Sequence, residues 1–346
     1  MLTIIAISVG LFFAMNIGAS GGAATMGVAY GSGVIKNRRI ALGICGVAIF
    51  LGAWFGGGEV VKTIGSGIVP ENTFTTAIAL IVVASATLSL FLANVLGIPL
   101  STSEVTVGAV VGAGIVYQSV FVGKLLVIVL FWFITPIVAF LIAVMATALL
   151  KIKLIKAWVN APKSAKVLSL LVLIMGLFEA FAAGMNNVAN AIGPLVGAGL
   201  LSTNGGIFWG GLFVAIGAFL LGKRVLETNG KKITQLRLEE GCVISGTGAG
   251  IVTAASIVGI PVPLAQITTS SIIGVGFVKQ GGAVLKKDIV VQLLTVWIVS
   301  PVLSMVLSYT IIQIVIEHNV YPIIIMVGIL VSAFGVLFLM KRSKGR

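Results

Sequence analysis

Two carboxyl groups carry most of the chemistry open to this apolar chain. Glu104 lies inside GIPLSTSEVTVGAVVGAG (Gly97 to Gly114). Glu179 stands shortly before FAAGMNNVANAIGPLVGAG (Phe181 to Gly199). Short polar side chains gather around them: Ser101, Thr102 and Ser103, then Asn186, Asn187 and Asn190, and further on Thr268. Hydroxyls and amides offer hydrogen-bond donors to an anion. An acid left charged and unpaired at membrane depth costs at least about 2.5 kcal/mol, so its presence there marks a function. Proton exchange is the function such a group can serve. Glu104 is expected to be the main proton carrier and Glu179 the second. The other acids are expected to be structural. Glu71, Glu239, Glu240 and Glu317 fall in loops or at span ends, where water solvates them. Glu227 and Asp288 sit beside basic clusters, and Glu59 sits beside Lys62.

The asparagine run has a degraded copy, MNIGASGGAATMGVAYGSG (Met15 to Gly33), which places Ser20 opposite Asn186, Gly21 opposite Asn187 and Ala24 opposite Asn190. Three further matches follow in the same order. GGEVVKTIG (Gly57 to Gly65) pairs with GKRVLETNG (Gly222 to Gly230). GIPLSTSEVTVGAVVGAG pairs with GIPVPLAQITTSSIIGVG (Gly259 to Gly276), so Glu104 faces Gln266. Trp132 and Pro136 pair with Trp297 and Pro301. Repeated glycine-rich polar breaks inside membrane segments point to a transporter's substrate site. Breaks are expected at Gly18 to Gly22, Gly184 to Asn187, Pro99 to Ser103 and Pro261 to Ala265. They would free backbone amides at half-helix N-termini, which attract anions through dipole and N–H groups. The expected substrate-binding residues are Ser20, Gly21, Gly22, Ser101, Thr102, Ser103, Asn186, Asn187, Asn190, Gln266 and Thr268.

The elements that position these residues are membrane helices. Hydrophobic residues make up 59% of the 346 and charged ones 9%. Apolar runs of about 20 residues recur along the chain, long enough to cross a bilayer as helices. They lack the alternation of a β-barrel. Spans are expected near 2–35 (broken), 39–56, 75–95, 100–118 and 124–150, then 166–200 (broken), 205–222, 241–258, 262–280, 288–315 and 321–340. The chain begins MLTIIAISVGLFF without a basic region before it, and this stretch reads as the first span. The net charge of +13 does not indicate nucleic acid. With the N-terminus outside and eleven crossings, every Lys and Arg except Lys62 and Lys124 falls on the cytoplasmic face, as the positive-inside rule asks. Five spans precede the linker, an odd number, so the two halves must be inverted. The expected organisation is a first repeat (1–150), a basic cytoplasmic linker (151–166), a second repeat (167–320) and an extra span with a basic tail (321–346). Cys45 and Cys242 read as reduced packing residues.

At these motifs the chain resembles the inorganic phosphate transporter (PiT) family, whose halves each carry a GANDVAN-type signature followed by a PVSTTH-like break. The wording MNIGASGGAATMGVAYGSG, GIPLSTSEVTVGAVVG and GMNNVANAIGPLVGAG is most similar to the family's CysP-type sulfate permeases. The resemblance covers essentially the whole chain. It implies an all-α polytopic membrane protein that imports a tetrahedral oxyanion by ion-coupled symport and alternating access. The family's signature aspartates, associated with coupling Na⁺, are Gly21 and Asn187 here. Without those anionic oxygens a buried hard cation is poorly compensated. Protons are therefore favoured over Na⁺, with Glu104 as the titratable group. Sulfate is a dianion that needs donors only, and a carboxylate beside it would repel it. A carboxylate-free signature therefore suits sulfate, with thiosulfate and related oxyanions as co-substrates.

The alternatives are a Na⁺- or H⁺-coupled phosphate symporter and, in another class, a passive anion channel. An enzyme is not expected: there is no HExxH, Asp288 is the sole aspartate, and the single histidine, His318, cannot build a triad. No GxxxxGK[ST] loop is present, and neither cofactor nor metal is implied. The expected partners are the substrate anion, the coupling ion and the bilayer of the cytoplasmic membrane. A homodimer is allowed but not specified.

Overall fold

The computed structural model describes residues 1–96, 100–227, 236–285, 287–324 and 327–328. These residues form a helical bundle. Helix α1 (Leu2–Ile17) continues through a π-helical turn (Gly18–Gly22), bends at Thr25 and Met26, and leads into the short α2 (Gly27–Gly31). Helices α3 (Arg38–Gly56), α4 (Gly58–Lys62), α5 (Thr76–Leu96), α6 (Thr102–Val116) and α7 (Val122–Leu149) complete the first half. The linker contains α8 (Lys153–Val159). The second half comprises α9 (Ser164–Gly197), α10 (Thr203–Leu221), α11 (Leu238–Ile257), α12 (Leu264–Gln280) and α13 (Lys287–Val315).

Among the described residues, seven helical segments are long and apolar enough to cross a membrane. On α7, Leu126, Leu130, Ile137, Leu141 and Met145 are all exposed, the outward face of a helix whose solvent is hydrocarbon. Helix α6, at 15 residues, rises only about 22 Å, short of a full hydrocarbon core. Most of the expected extra span at 321–340 lies outside the described residues.

Two expected breaks are absent. The chain was expected to open at Gly184 to Asn187, but α9 runs unbroken for 34 residues through that stretch. Gly184 is used for packing: a Cβ there would collide with the Ile49 carbonyl of α3. The amides at 184–187 therefore stay inside the helix, and the asparagine side chains supply the polar groups. The stretch Gly18 to Gly22 does not open either: it is a π-helical turn continuous with α1, and the chain bends only beyond it, at Thr25 and Met26. The other two breaks are non-helical where they are described, Pro99 lying outside the described residues. Leu100 and Ser101 are non-helical, and Ser101 caps α6 by accepting from the Glu104 amide at 3.4 Å. Residues 260–263 are likewise non-helical before α12.

The close approaches between helices are reciprocal across the sequence repeat. Gly18 and Gly184 are each fourth in their signature copy. Gly18 abuts the Val214 carbonyl as Gly184 abuts that of Ile49, and Ile49 and Val214 each precede the matched Gly57 and Gly222 by eight residues. Gly52 abuts the Phe181 carbonyl and Gly217 that of Met15, the first residues of the two copies. Gly112 abuts the Met305 carbonyl and Gly274 that of Phe140, each four residues beyond a matched proline. Contact of i with j′ together with j with i′ is the signature of a two-fold relation. Here each half packs on the other as two subunits would.

Two acids expected to be solvated are buried instead. Glu239 pairs with Arg237 at 2.6 Å and Glu240 with Lys279 at 3.0 Å, at the foot of α11. The first turn of a helix favours acids, and the two cations compensate their burial. Glu59 pairs with Lys62 at 2.6 Å, as expected.

Candidate functional site

Both non-helical tips, 100–101 and 260–263, meet on the middle of α9. Asn186 holds the second tip: its amide donates to the Ile260 carbonyl and to Ser256 Oγ, both at 3.0 Å, and its Oδ1 accepts from the Val262 amide at 3.1 Å. Asn190 holds the first: its Nδ2 lies 3.3 Å from Thr102 Oγ1 and 3.2 Å from Ser103 Oγ. Ser103 Oγ donates across to the Val262 carbonyl at 3.1 Å, joining the tips. Trp132 also donates its indole N–H to the Pro261 carbonyl at 3.0 Å. Asn186, Asn190, Ser103 and Trp132 are all buried. These side chains hold the tips, and Asn190 Oδ1 is left buried without a hydrogen-bond partner.

Asn187 is placed differently. Its Oδ1 faces Asn190 Nδ2 at 3.5 Å, while its Nδ2 points towards Gly21, 3.6 Å from where a Cβ would stand. Asn187 and Gly21 are repeat mates, so they face each other near the two-fold relation. Thr102 and Ser103 open α6, and their side chains meet Asn190, so the N-terminus of α6 is directed at α9. An anion placed there would find the Asn187 amide, the Thr102 hydroxyl and the positive end of α6.

Ser20 contributes less than expected. It lies in the π-turn and donates to the Asn16 carbonyl at 2.9 Å. Its run GASGG spells GxSxG letter for letter, but a nucleophile elbow is a strand–turn–helix and this segment is helical on both sides. The Gly22 carbonyl accepts from Thr25 Oγ1 at 2.8 Å and from Cys45 Sγ at 3.2 Å, locking the π-turn onto α3.

The two carboxyls occupy separate places, each fully enclosed. Glu104 accepts from Gln266 Nε2, its own repeat mate, so this pair also straddles the two-fold relation. Glu104 Oε2 and Gln266 Oε1 are buried without a hydrogen-bond partner. Glu179 accepts from Thr268 Oγ1 at 3.0 Å, beside Gly248 of α11. Gln266 and Thr268, expected to touch substrate, are thus the partners of the two acids. Among the described residues, no group of three His, Cys, Asp or Glu is placed to hold a metal ion.

Two cavities border the bundle. One of about 210 Å³ is apolar except for Glu104 and lies between α6, α7 and α13. Another, of about 220 Å³, lies between α1 and α5. Neither touches Asn187 or Thr102; Asn187 is buried, whereas Thr102 and Gly21 beside it are half-buried.

Residues 17–308 match the phosphate transporter family. The sulfate permease CysP of Bacillus subtilis is 56% identical over 97% of this chain and 94% of its own length. A putative phosphate permease of Thermococcus kodakarensis is 30% identical over 88% of this chain and 96% of its own. A solved structure titled the sodium-dependent phosphate transporter superposes with a TM-score of 0.78, at 24% identity, over 91% of this chain and all of its own. The match over most of the chain, with relatives aligned nearly end to end, makes this protein a member of the phosphate transporter family.

Proposed function

We propose that the chain is a secondary carrier that imports sulfate together with protons by alternating access across the cytoplasmic membrane. The observation that carries this reading is the meeting of Asn187 with its repeat mate Gly21, where the signatures themselves carry no carboxylate and the nearby Glu104 is held by Gln266. Where the halves face each other, the pair is Asn187 and Gly21, with Thr102 and the α6 N-terminus alongside. Such a centre offers donors to a dianion and no anionic oxygen to repel it. The 56% identity to a sulfate permease supports the same substrate. Asn187, Thr102, Ser101 and the Gly21–Gly22 backbone are the proposed contacts. Asn186, Asn190 and Ser103 position the tips.

Reciprocal packing supports repeats of inverted topology within 1–150 and 167–320, joined by the linker 151–166, with eleven spans and the N-terminus outside. A gate that closes on one side of such a pair has a related gate on the other. Paired polar sites on two reciprocal halves favour a carrier over a continuous pore. Glu104 is the proposed proton carrier: one carboxyl oxygen is held by Gln266, and Oε2 is the oxygen that takes the proton. Glu179 is the second candidate.

A phosphate carrier driven by Na⁺ or H⁺ is the other reading. It is favoured by the family match and by the phosphate permease relatives. Uptake of radiolabelled sulfate into proteoliposomes decides between them. An inward proton gradient should drive accumulation that neither a Na⁺ gradient nor excess phosphate alters, and Glu104→Gln should abolish it. Na⁺ dependence, or block by phosphate, would establish the second reading. Full accumulation by Glu104→Gln would exclude that residue.

A further inference from the structure

Helix α13 carries three serines at helical spacing, Ser300, Ser304 and Ser308, and all three are fully buried. Residues four apart lie on one face of a helix, each about 6 Å further along. That face is turned to α6: Gly108 packs on Pro301 and Ser304, and Gly112 on Met305, Ser308 and Tyr309. Both numbers rise together, so α6 and α13 run in the same direction. At the inner end of the face, Ser300 Oγ lies beside the Glu104 carboxyl without completing a hydrogen bond to it. At the outer end the two helices finish together, where exposed Tyr117 donates to Glu317 Oε1 at 2.9 Å, next to His318. Ser304 Oγ donates to the Pro301 carbonyl at 3.2 Å, whereas the Glu104 carboxyl is the polar neighbour of Ser300 Oγ and Ser308 Oγ has no hydrogen-bond partner among the described residues.

Buried hydroxyls without partners need a reason, because each carries a desolvation cost. The repeat supplies a control. Ser300, Ser304 and Ser308 correspond to Thr135, Ala139 and Ala143 on α7, counted from the matched prolines Pro301 and Pro136. Helix α7 makes the equivalent packing contact with α12, at Gly274 against Phe140, using alanine at two of the three places. The packing therefore does not require hydroxyls. They occur on the side where the axial residue is Glu104 and are largely lost on the side where it is Gln266.

We propose that the α6–α13 seam is the proton access path to Glu104, a hydroxyl ladder running from the Tyr117–Glu317 mouth through Ser308, Ser304 and Ser300. A hydronium ion at the mouth gives its proton to the chain of hydroxyls and seam water. Each group passes one O–H proton inward and receives another, and the Glu104 carboxylate ends as the acid while water is left at the mouth. This inference rests on the proton-coupled reading above and assigns the route by which that coupling is made.

The test uses Ser304→Ala with Ser308→Ala, which copies the α7 face, in proteoliposomes carrying the full chain. Proton-driven net sulfate uptake should fall by about tenfold, the size expected for one lost relay hydrogen bond. Sulfate–sulfate exchange at equal pH, which needs no net proton movement, should stay unchanged. Ser300→Thr keeps a hydroxyl and matches Thr135, so it should retain net uptake. Loss of exchange together with net uptake would make the serines structural and overturn the path. Undiminished net uptake would also overturn it. If the unaltered protein accumulates sulfate without proton flux, the coupling itself fails, and the path fails with it.

Discussion

The two signature copies pack alike and are built differently. Helix α9 passes through Gly184 and its asparagines without interruption, whereas α1 gives way to a π-turn at Gly18 and a bend at Thr25. Yet Gly18 and Gly184 meet equivalent carbonyls of α10 and α3. Packing between the halves has been kept while local backbone and side-chain chemistry have diverged. Single-turn π segments cluster at functional sites. The π-turn here brings Gly21, which has no side chain, to face Asn187, where a faithful repeat would set two asparagines against each other. The lesson is that symmetry in this molecule belongs to the glycines, and function to the departures from it.

The largest effect should come from breaking what the halves share. Gly18→Val and Gly184→Val each drive a side chain into a backbone carbonyl, with no flexible neighbour to yield. Overpacking of this kind costs roughly 1–3 kcal/mol or more. Both variants should fail to yield monodisperse protein on size-exclusion chromatography in detergent, and to a similar degree. If Gly18→Val folds normally while Gly184→Val does not, the packing equivalence of the halves is wrong.

The next effect separates the halves. Asn186→Ala removes three hydrogen bonds and leaves the Val262 amide and the Ile260 carbonyl buried beside a void. A buried group left unsatisfied costs about 1–3 kcal/mol. The second tip should loosen, the thermal transition should drop by several degrees, and uptake should fall steeply. The mate of Asn186 is Ser20, which bonds only to the backbone of its own helix, to the carbonyls of Asn16 and Ile17. Ser20→Ala should leave the thermal transition nearly unmoved. Equal losses in the two variants would mean that the first copy holds its tip as the second does.

Much of this arrangement was legible in the sequence because membrane helices leave strong marks: long apolar runs, and blocks repeated in order. The pairing of Glu104 with Gln266 could be read as a register but not as a contact, since nothing in one sequence says that matched positions meet on an axis. The expected break at Gly184 failed for a physical reason. Glycine in a membrane helix serves either to unwind it or to admit a neighbour, and only the position of Ile49 shows which. Gln266 and Thr268 were assigned to substrate because polar residues near a break look alike, whereas the partner of each, Glu104 or Glu179, comes from a distant segment. The serine ladder is a spacing of four on α13 in the sequence, but its meaning depends on the α7 face it contrasts with. Glu239 and Glu240 were misjudged because their cations, Arg237 and Lys279, cover them only once α11 and α12 are in place.

The smallest effect tests a charge reversal between the halves. Glu59 and Lys62 correspond to Arg224 and Glu227, so the acid and the base have exchanged places. In the first half the pair closes on itself, one turn apart at 2.6 Å, with both side chains more than half exposed. In the second half Glu227 reaches across to Arg38 at 2.7 Å, tying the start of α3 to the helical residues 223–227 that follow α10, and both side chains are about one-third exposed. Exposed pairs contribute about 0–1 kcal/mol, and salt screens them. Glu59→Gln should therefore leave the thermal transition where it is. Glu227→Gln should lower it slightly, by an amount that shrinks as salt is raised, because it removes a link between halves and not one within a single turn. A larger shift from Glu59→Gln than from Glu227→Gln would show that stability resides in the local turn and not in the junction of the halves.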